Sequence, residues 1–191
     1  MMRAVTYFLL VFASYTIATF LAVGPSPLNH LLFSLSFFLC VYLFYKKDIT
    51  FQKPKLDKKD GLMVVIGVLV LLLLDVLLIY ILPTPLEEQH TKTMIQSYGL
   101  FGVFLACIVA PFVEEFIFRY IPQNDKATIV TSVIMFGLMH TQISKDLYTS
   151  FYPAIVTMIN GVVFYIFYKK TDNLYVSISI HAIVNFIALG L

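Results

Sequence analysis

Charge is what this chain of 191 residues has least of: Asp, Glu, Lys and Arg together make up 13% of it, against 60% hydrophobic residues. With a mean hydropathy of +0.88, that scarcity excludes a soluble globular domain and implies an integral membrane protein. The net charge is only +2, and no basic run is interleaved with aromatics, so nothing points to a nucleic-acid partner. Two cysteines occur, Cys40 and Cys107, both inside apolar runs and without C-x-x-C spacing, which leaves them as packing residues. The longest connections, 46–61 and 83–99, are too short to be domains. Internal repeats and low-complexity tracts are absent.

What is present is a series of apolar runs. A hydrocarbon core ~30 Å thick needs about 20 apolar residues per helix. Against that template the sequence predicts seven spans, at Val5–Val23, Leu28–Tyr45, Leu62–Leu82, Leu100–Ile121, Ala127–Met139 with a few residues more, Tyr148–Tyr168 and Leu174–Leu191. The first follows Met1-Met2-Arg3 as a secretory signal would. Its apolar run is longer than a signal core, however, and no small-x-small site precedes Gly24-Pro25-Ser26-Pro27, so it reads as a retained helix. The expected fold is all-α: a polytopic membrane helical bundle of about seven transmembrane helices, forming a single membrane domain.

Basic residues fix its expected orientation. Lys46, Lys47, Lys53, Lys55, Lys58 and Lys59 crowd the second connection, and Lys/Arg excess in short loops marks the cytoplasmic side. The amino terminus is then cytoplasmic. With seven spans the inner segments also hold Arg3, Lys126, Lys169 and Lys170, and the outer ones hold Lys92 and Lys145.

The few charges inside the apolar runs concentrate in one stretch, Val113-Glu114-Glu115-Phe116-Ile117-Phe118-Arg119. A charge at the bilayer centre costs about 2.5–3.5 kcal/mol on the lenient insertion scale, so such groups usually face a protein interior and mark a site. On a helix Glu115 and Arg119, at i and i+4, share a face and can pair, while Glu114 points to the adjacent face. Two readings are open: Glu114 is left free to take a proton in a cavity, or it is the solvent-facing spare of a structural ion pair.

Two later spans carry further polar marks. His140 closes Phe136-Gly137-Leu138-Met139-His140, and His181-Ala182-Ile183-Val184-Asn185 puts a histidine and an asparagine on one helical face, with Ser177 one turn before. Taken singly these are interfacial residues or interhelical hydrogen-bonding glue. Together, two glutamates, an arginine, two histidines and an asparagine supply the parts of a hydrolase: a general base for water, an imidazole to orient it, and donors for an oxyanion. Glu and His also suit Zn²⁺, whose catalytic sites use three protein ligands and water.

Glu114-Glu115-x-x-x-Arg119, Phe136-x-x-x-His140 and His181-x-x-x-Asn185, in that order in the second half of a multi-span chain, resemble the three motifs of the CAAX protease and bacteriocin-processing family, also called the Abi family. The likeness covers roughly residues 100–191, while the helices of 1–99 carry no signature. It implies an intramembrane endopeptidase in a bacterial plasma membrane, with its catalytic cavity among the later helices. Carried over residue by residue, Glu114 would activate water with His140, His181 and Asn185 would bind the oxyanion, and the Glu115–Arg119 pair would support the site. The family's metalloprotease label implies Zn²⁺, with Glu114, His140 and His181 as ligands; a metal-free glutamate mechanism fits the same residues. The implied partners are membrane lipid and a peptide or protein substrate, such as a bacteriocin or peptide precursor. Bacteriocin self-immunity, by proteolysis or by binding, is the alternative within the family. A non-catalytic membrane binding or transport component is the alternative outside it. The signatures H-E-x-x-H, G-x-S-x-G and G-x-G-D are missing.

Straight spans normal to the membrane would leave His140 near the outer end of its helix and Glu114 and His181 deeper. Tilt, a bend near Pro111 or a different boundary is therefore expected. Asp75, at the centre of the third span, belongs to no motif and is expected to be structural, as is Asn160-Gly161 in the sixth.

Overall fold

The computed structural model describes residues 2–22, 26–47, 49, 56–82, 96–122, 125–141 and 146–190. Among them lie seven helices: α1 (Met2–Leu21), α2 (Pro27–Tyr45), α3 (Lys58–Ile81), α4 (Gly99–Tyr120), α5 (Lys126–Leu138), α6 (Leu147–Thr171) and α7 (Leu174–Ala188). All seven coincide with the apolar runs of the sequence to within a few residues. Five of them, α1, α2, α3, α4 and α6, are long and apolar enough to cross a membrane, and α5 and α7 are shorter. The all-helical bundle stands, with five helices of full crossing length rather than seven.

The helix starts are set by local chemistry. Ser26 caps α2 and is followed by Pro27 at the first helical position, where its missing N–H costs nothing. Asp57 and Asp60 form a reciprocal capping box on α3, Asp125 caps α5, Asp146 caps α6 and Asn173 caps α7. The side chain and backbone N–H of Thr128 hold the Asp125 carboxyl below the usual carboxylate range. Two caps also tie helices together. Asn173 Nδ2 donates to Asp60 Oδ2 at 3.0 Å, which aligns the starts of α7 and α3, and Arg3 of α1 lies close enough to Asp125 to favour its charged form. The helix ends carrying Arg3, Lys58, Lys59, Lys126, Lys169 and Lys170 therefore gather on one side. Lys53, Lys55, Lys92 and Lys145 lie outside the described residues.

α4 is the central element. It packs against α2, α5, α6 and α7, while α1 packs on α2 and α5, and α3 on α6 and α7. Its run Glu115–Tyr120 is buried throughout, against outward-facing apolar side chains elsewhere such as Leu9, Phe20, Leu73 and Ile79. In a bilayer such apolar faces meet lipid, while the helices satisfy most of their backbone groups internally. α5 and α6 cross closely at Gly137, where an added Cβ would stand 2.6 Å from the Ala154 backbone oxygen. Both cysteines are free thiols, Cys107 buried and Cys40 partly so.

Candidate active site

Proline spacing breaks α4 twice. Pro111 has no N–H to give the carbonyl four residues back, and a π turn spans Leu105–Val109 just before it. A second π turn, Phe116–Tyr120, precedes Pro122. Between them Ala110–Glu115 is α-helical and carries the two glutamates. The bend expected near Pro111 is thus a pair of widened turns flanking the acidic residues. π turns recur at functional sites because they re-aim side chains and leave carbonyls free.

Each freed carbonyl has a taker. In the first turn the Ala110 N–H bonds to Leu105 O, so Ala106 O loses its helical donor, and Asn185 Nδ2 of α7 donates to it at 2.8 Å. In the second the Ile121 N–H bonds to Phe116 O at 3.2 Å, so Ile117 O is freed, and Tyr7 OH of α1 donates to it at 3.0 Å. Phe118 O, whose donor would be Pro122, accepts from Ser132 Oγ at 3.0 Å and Arg119 Nη1 at 3.2 Å. In this way four side chains, two of them from the expected site, close the distorted helix.

Adjacent in sequence, the two glutamates have different surroundings. Glu115 is fully buried, as is Arg119, whose Nε lies 3.4 Å from Glu115 Oε2. The alignment is not that of a hydrogen bond, since Glu115 Oε2, Arg119 Nε and Arg119 Nη2 have no hydrogen-bond partner among the described residues. The attraction is Coulombic and is supplemented by aromatics: Arg119 Cζ stands 4.4 Å from the Phe136 ring centroid and 5.7 Å from that of Phe164. The other carboxylate oxygen, Glu115 Oε1, accepts from His181 Nδ1 at 3.0 Å. Glu114, on the neighbouring face, keeps 23% side-chain exposure, and its Oε2 is 3.7 Å from His181 Nε2. His181 thus stands between the two carboxylates, stacked on Phe164 with centroids 4.5 Å apart.

The histidine tautomers follow from their partners. His181 Nδ1 faces a carboxylate and His140 Nδ1 faces Phe136 O at 2.7 Å. Both partners only accept, so Nδ1 carries a proton in each ring, and Nε2 is the nitrogen left to face the rest of the site. His140 lies just beyond the end of α5, in contact with Phe136 at a centroid distance of 5.0 Å; the same phenyl ring meets His181 at 6.1 Å. A helix of 13 residues is only about 20 Å long. That is shorter than a hydrocarbon core of ~30 Å.

Phe136, read from the sequence only as the start of a motif, is therefore the platform that touches Arg119, His140 and His181. Gly161 makes room for it: an added Cβ would lie 2.9 Å from Phe136 Cδ1 and 3.2 Å from Arg119 Nη2. Gly161→Ala is expected to cost about 1–3 kcal/mol by overpacking and to lower any activity of the site, as a thermal melt of the purified protein would register. The neighbouring Asn160 is more than packing, since its Nδ2 donates to Asp75 Oδ1 at 3.4 Å, giving that intramembrane carboxylate a partner on α6. Ser177 is fully buried and donates to Leu174 O at 3.0 Å.

Of the six residues singled out from the sequence, Glu114, Glu115, Arg119 and His181 form one contiguous cluster, His140 joins it through Phe136, and Asn185 joins it through the Ala106 carbonyl. Among the described residues no group of three or more His, Cys, Asp or Glu is arranged to hold a metal ion, so Glu114, His140 and His181 are not gathered as a three-ligand set.

Residues 96–187 match a family model described as Rce1-like, type II CAAX prenyl endopeptidase Rce1-like. No curated protein and no solved structure matches the chain significantly.

Proposed function

We propose, from the match of residues 96–187 to the Rce1-like family model of type II CAAX prenyl endopeptidases, that this multi-pass membrane protein is an intramembrane endopeptidase acting on a small or membrane-associated peptide or protein. The observation that carries the mechanism is the unequal pair of neighbouring glutamates: one buried against Arg119 and His181, the other partly open beside His181 Nε2.

Glu114 is the general base. Its open carboxylate takes a proton from water as the oxygen attacks the scissile carbonyl, then returns that proton to the leaving nitrogen. Glu115 does no proton chemistry. It holds His181 by Nδ1, as the buried carboxylate of a triad holds its imidazole, so that Nε2 faces the reacting groups. Arg119 is the counter-charge beside Glu115. Asn185 has two amide hydrogens; one is spent on Ala106 O, and the other is offered to the developing oxyanion. His140, with its proton fixed on Nδ1, presents Nε2 as the second acceptor for the attacking water.

The basic helix ends support a cytoplasmic amino terminus. Glu114 precedes the end of α4 by six residues and His181 follows the start of α7 by seven, so the base and His181 lie about 10 Å from that face.

The test is cleavage of carboxyl-terminal peptides, with and without a prenylated cysteine, by detergent-purified protein, read by mass spectrometry. A single defined cut that persists in chelator is the expected result. Failure to cut any of them refutes the peptidase assignment, and loss of cutting in chelator with recovery on added Zn²⁺ refutes the metal-free route.

A further inference from the structure

The second π turn is a choice between two hydrogen-bond patterns, and one hydroxyl biases it. The Ile121 N–H bonds to Phe116 O; shifting it by one residue, to Ile117 O, would restore an ordinary α turn. Tyr7 OH donates to Ile117 O at 3.0 Å, which satisfies the carbonyl that the π turn leaves without its helical donor and so favours the wider turn. Tyr7 belongs to α1, is 1% exposed, and lies 110 residues away in sequence, outside the segment that matches the family.

The turn so held contains Arg119 and begins immediately after Glu115. If it relaxed to α geometry, the helix would tighten between Glu115 and Arg119, and the guanidinium would rotate relative to the Phe136 and Phe164 rings that now flank it. Arg119 and Glu115 would still share a helical face, but at a changed separation and orientation, so the charge held beside the carboxylate that orients His181 would shift in the same movement. We propose that Tyr7 is a positioning residue for the active site: its hydroxyl locks the π turn that sets Arg119 against Glu115, and through Glu115 it sets His181. The proposal rests on the peptidase reading for its kinetic consequence, while its geometric consequence is independent of that reading. It assigns the first half of the chain, which carries no motif, a direct part in shaping the site.

Tyr7→Phe keeps the ring and removes only the hydroxyl. Val11→Ala, one turn along the same buried face of α1, loosens the packing of that helix without touching Ile117 O. Tyr7→Phe is expected to lower kcat about tenfold with KM unchanged and to speed hydrogen exchange of the peptide covering 116–121. Val11→Ala is expected to lower the melting temperature without either effect. Equal kcat losses in the two variants at matched folded fraction would overturn the proposal. So would a Tyr7→Phe protein with wild-type exchange at 116–121, or one that fails to accumulate folded, which would make the hydroxyl merely structural. If Glu114→Gln retained activity the catalytic reading would fall, and hydrogen exchange alone would decide the role of Tyr7.

Discussion

Arg119→Ala is expected to destabilise the protein by about 3–5 kcal/mol, the cost typical of leaving one member of a buried ion pair behind, and to abolish cleavage with it. Glu115 is fully buried, and among the described residues its basic partners are the guanidinium and His181. Removing it also empties the space over the Phe136 ring and takes a donor from Phe118 O. Lysine should rescue little, because a point charge cannot lie flat against an aromatic face as a planar guanidinium does. The double variant Arg119→Met with Glu115→Gln should recover much of the stability, since neither charge is then buried alone, yet none of the activity, since His181 has lost its anionic anchor. Denaturation in mild detergent, followed by circular dichroism, measures the first part and peptide cleavage the second.

Glu114→Gln is expected to do the opposite: to leave the protein inserted, folded and as stable as the wild type, and to reduce turnover by about 10²–10⁴-fold, the usual worth of a positioned general base. The side chain is partly exposed, and its contact with His181 Nε2, at 3.7 Å, is longer than a hydrogen bond that the amide would break. Truncating His181 to alanine should be nearly as damaging, with a stability loss as well, because it strips Glu115 of its 3.0 Å partner.

Helices were legible in this sequence because hydropathy and length decide them in a bilayer, and every apolar run became one. The pairing of Glu115 with Arg119 was legible too, from i, i+4 spacing. What spacing could not convey is that the helix between them is a π turn. Hydrophobic periodicity reports which residues are apolar, not which carbonyl an N–H chooses, and only Pro111 and Pro122, each lacking an N–H, hinted at where the ladder would break. For the same reason Tyr7 was invisible: a tyrosine in a first span has no local sign that its hydroxyl meets a carbonyl 110 residues away. Phe136 and Gly161 escaped because aromatic and small residues in a span are read as packing until a charge is found against them. Asp75 and Asn160 were visible as separate polar anomalies, and joining them required the register of α3 against α6.

The end of α5 was legible as well: the turn at Met139-His140 closes the helix where its apolar run gives way to His140, Thr141 and Gln142. That turn brings the imidazole back over Phe136.

The central claim is that two adjacent glutamates in one membrane helix do different work. The measurement that tests it most directly compares Glu114→Gln and Glu115→Gln for melting temperature and for cleavage of one peptide at equal folded concentration. The account predicts that Glu114→Gln melts like the wild type and does not cleave, whereas Glu115→Gln melts well below it, its Arg119 left without an anion. A Glu114→Gln protein that cleaves at the wild-type rate would contradict it.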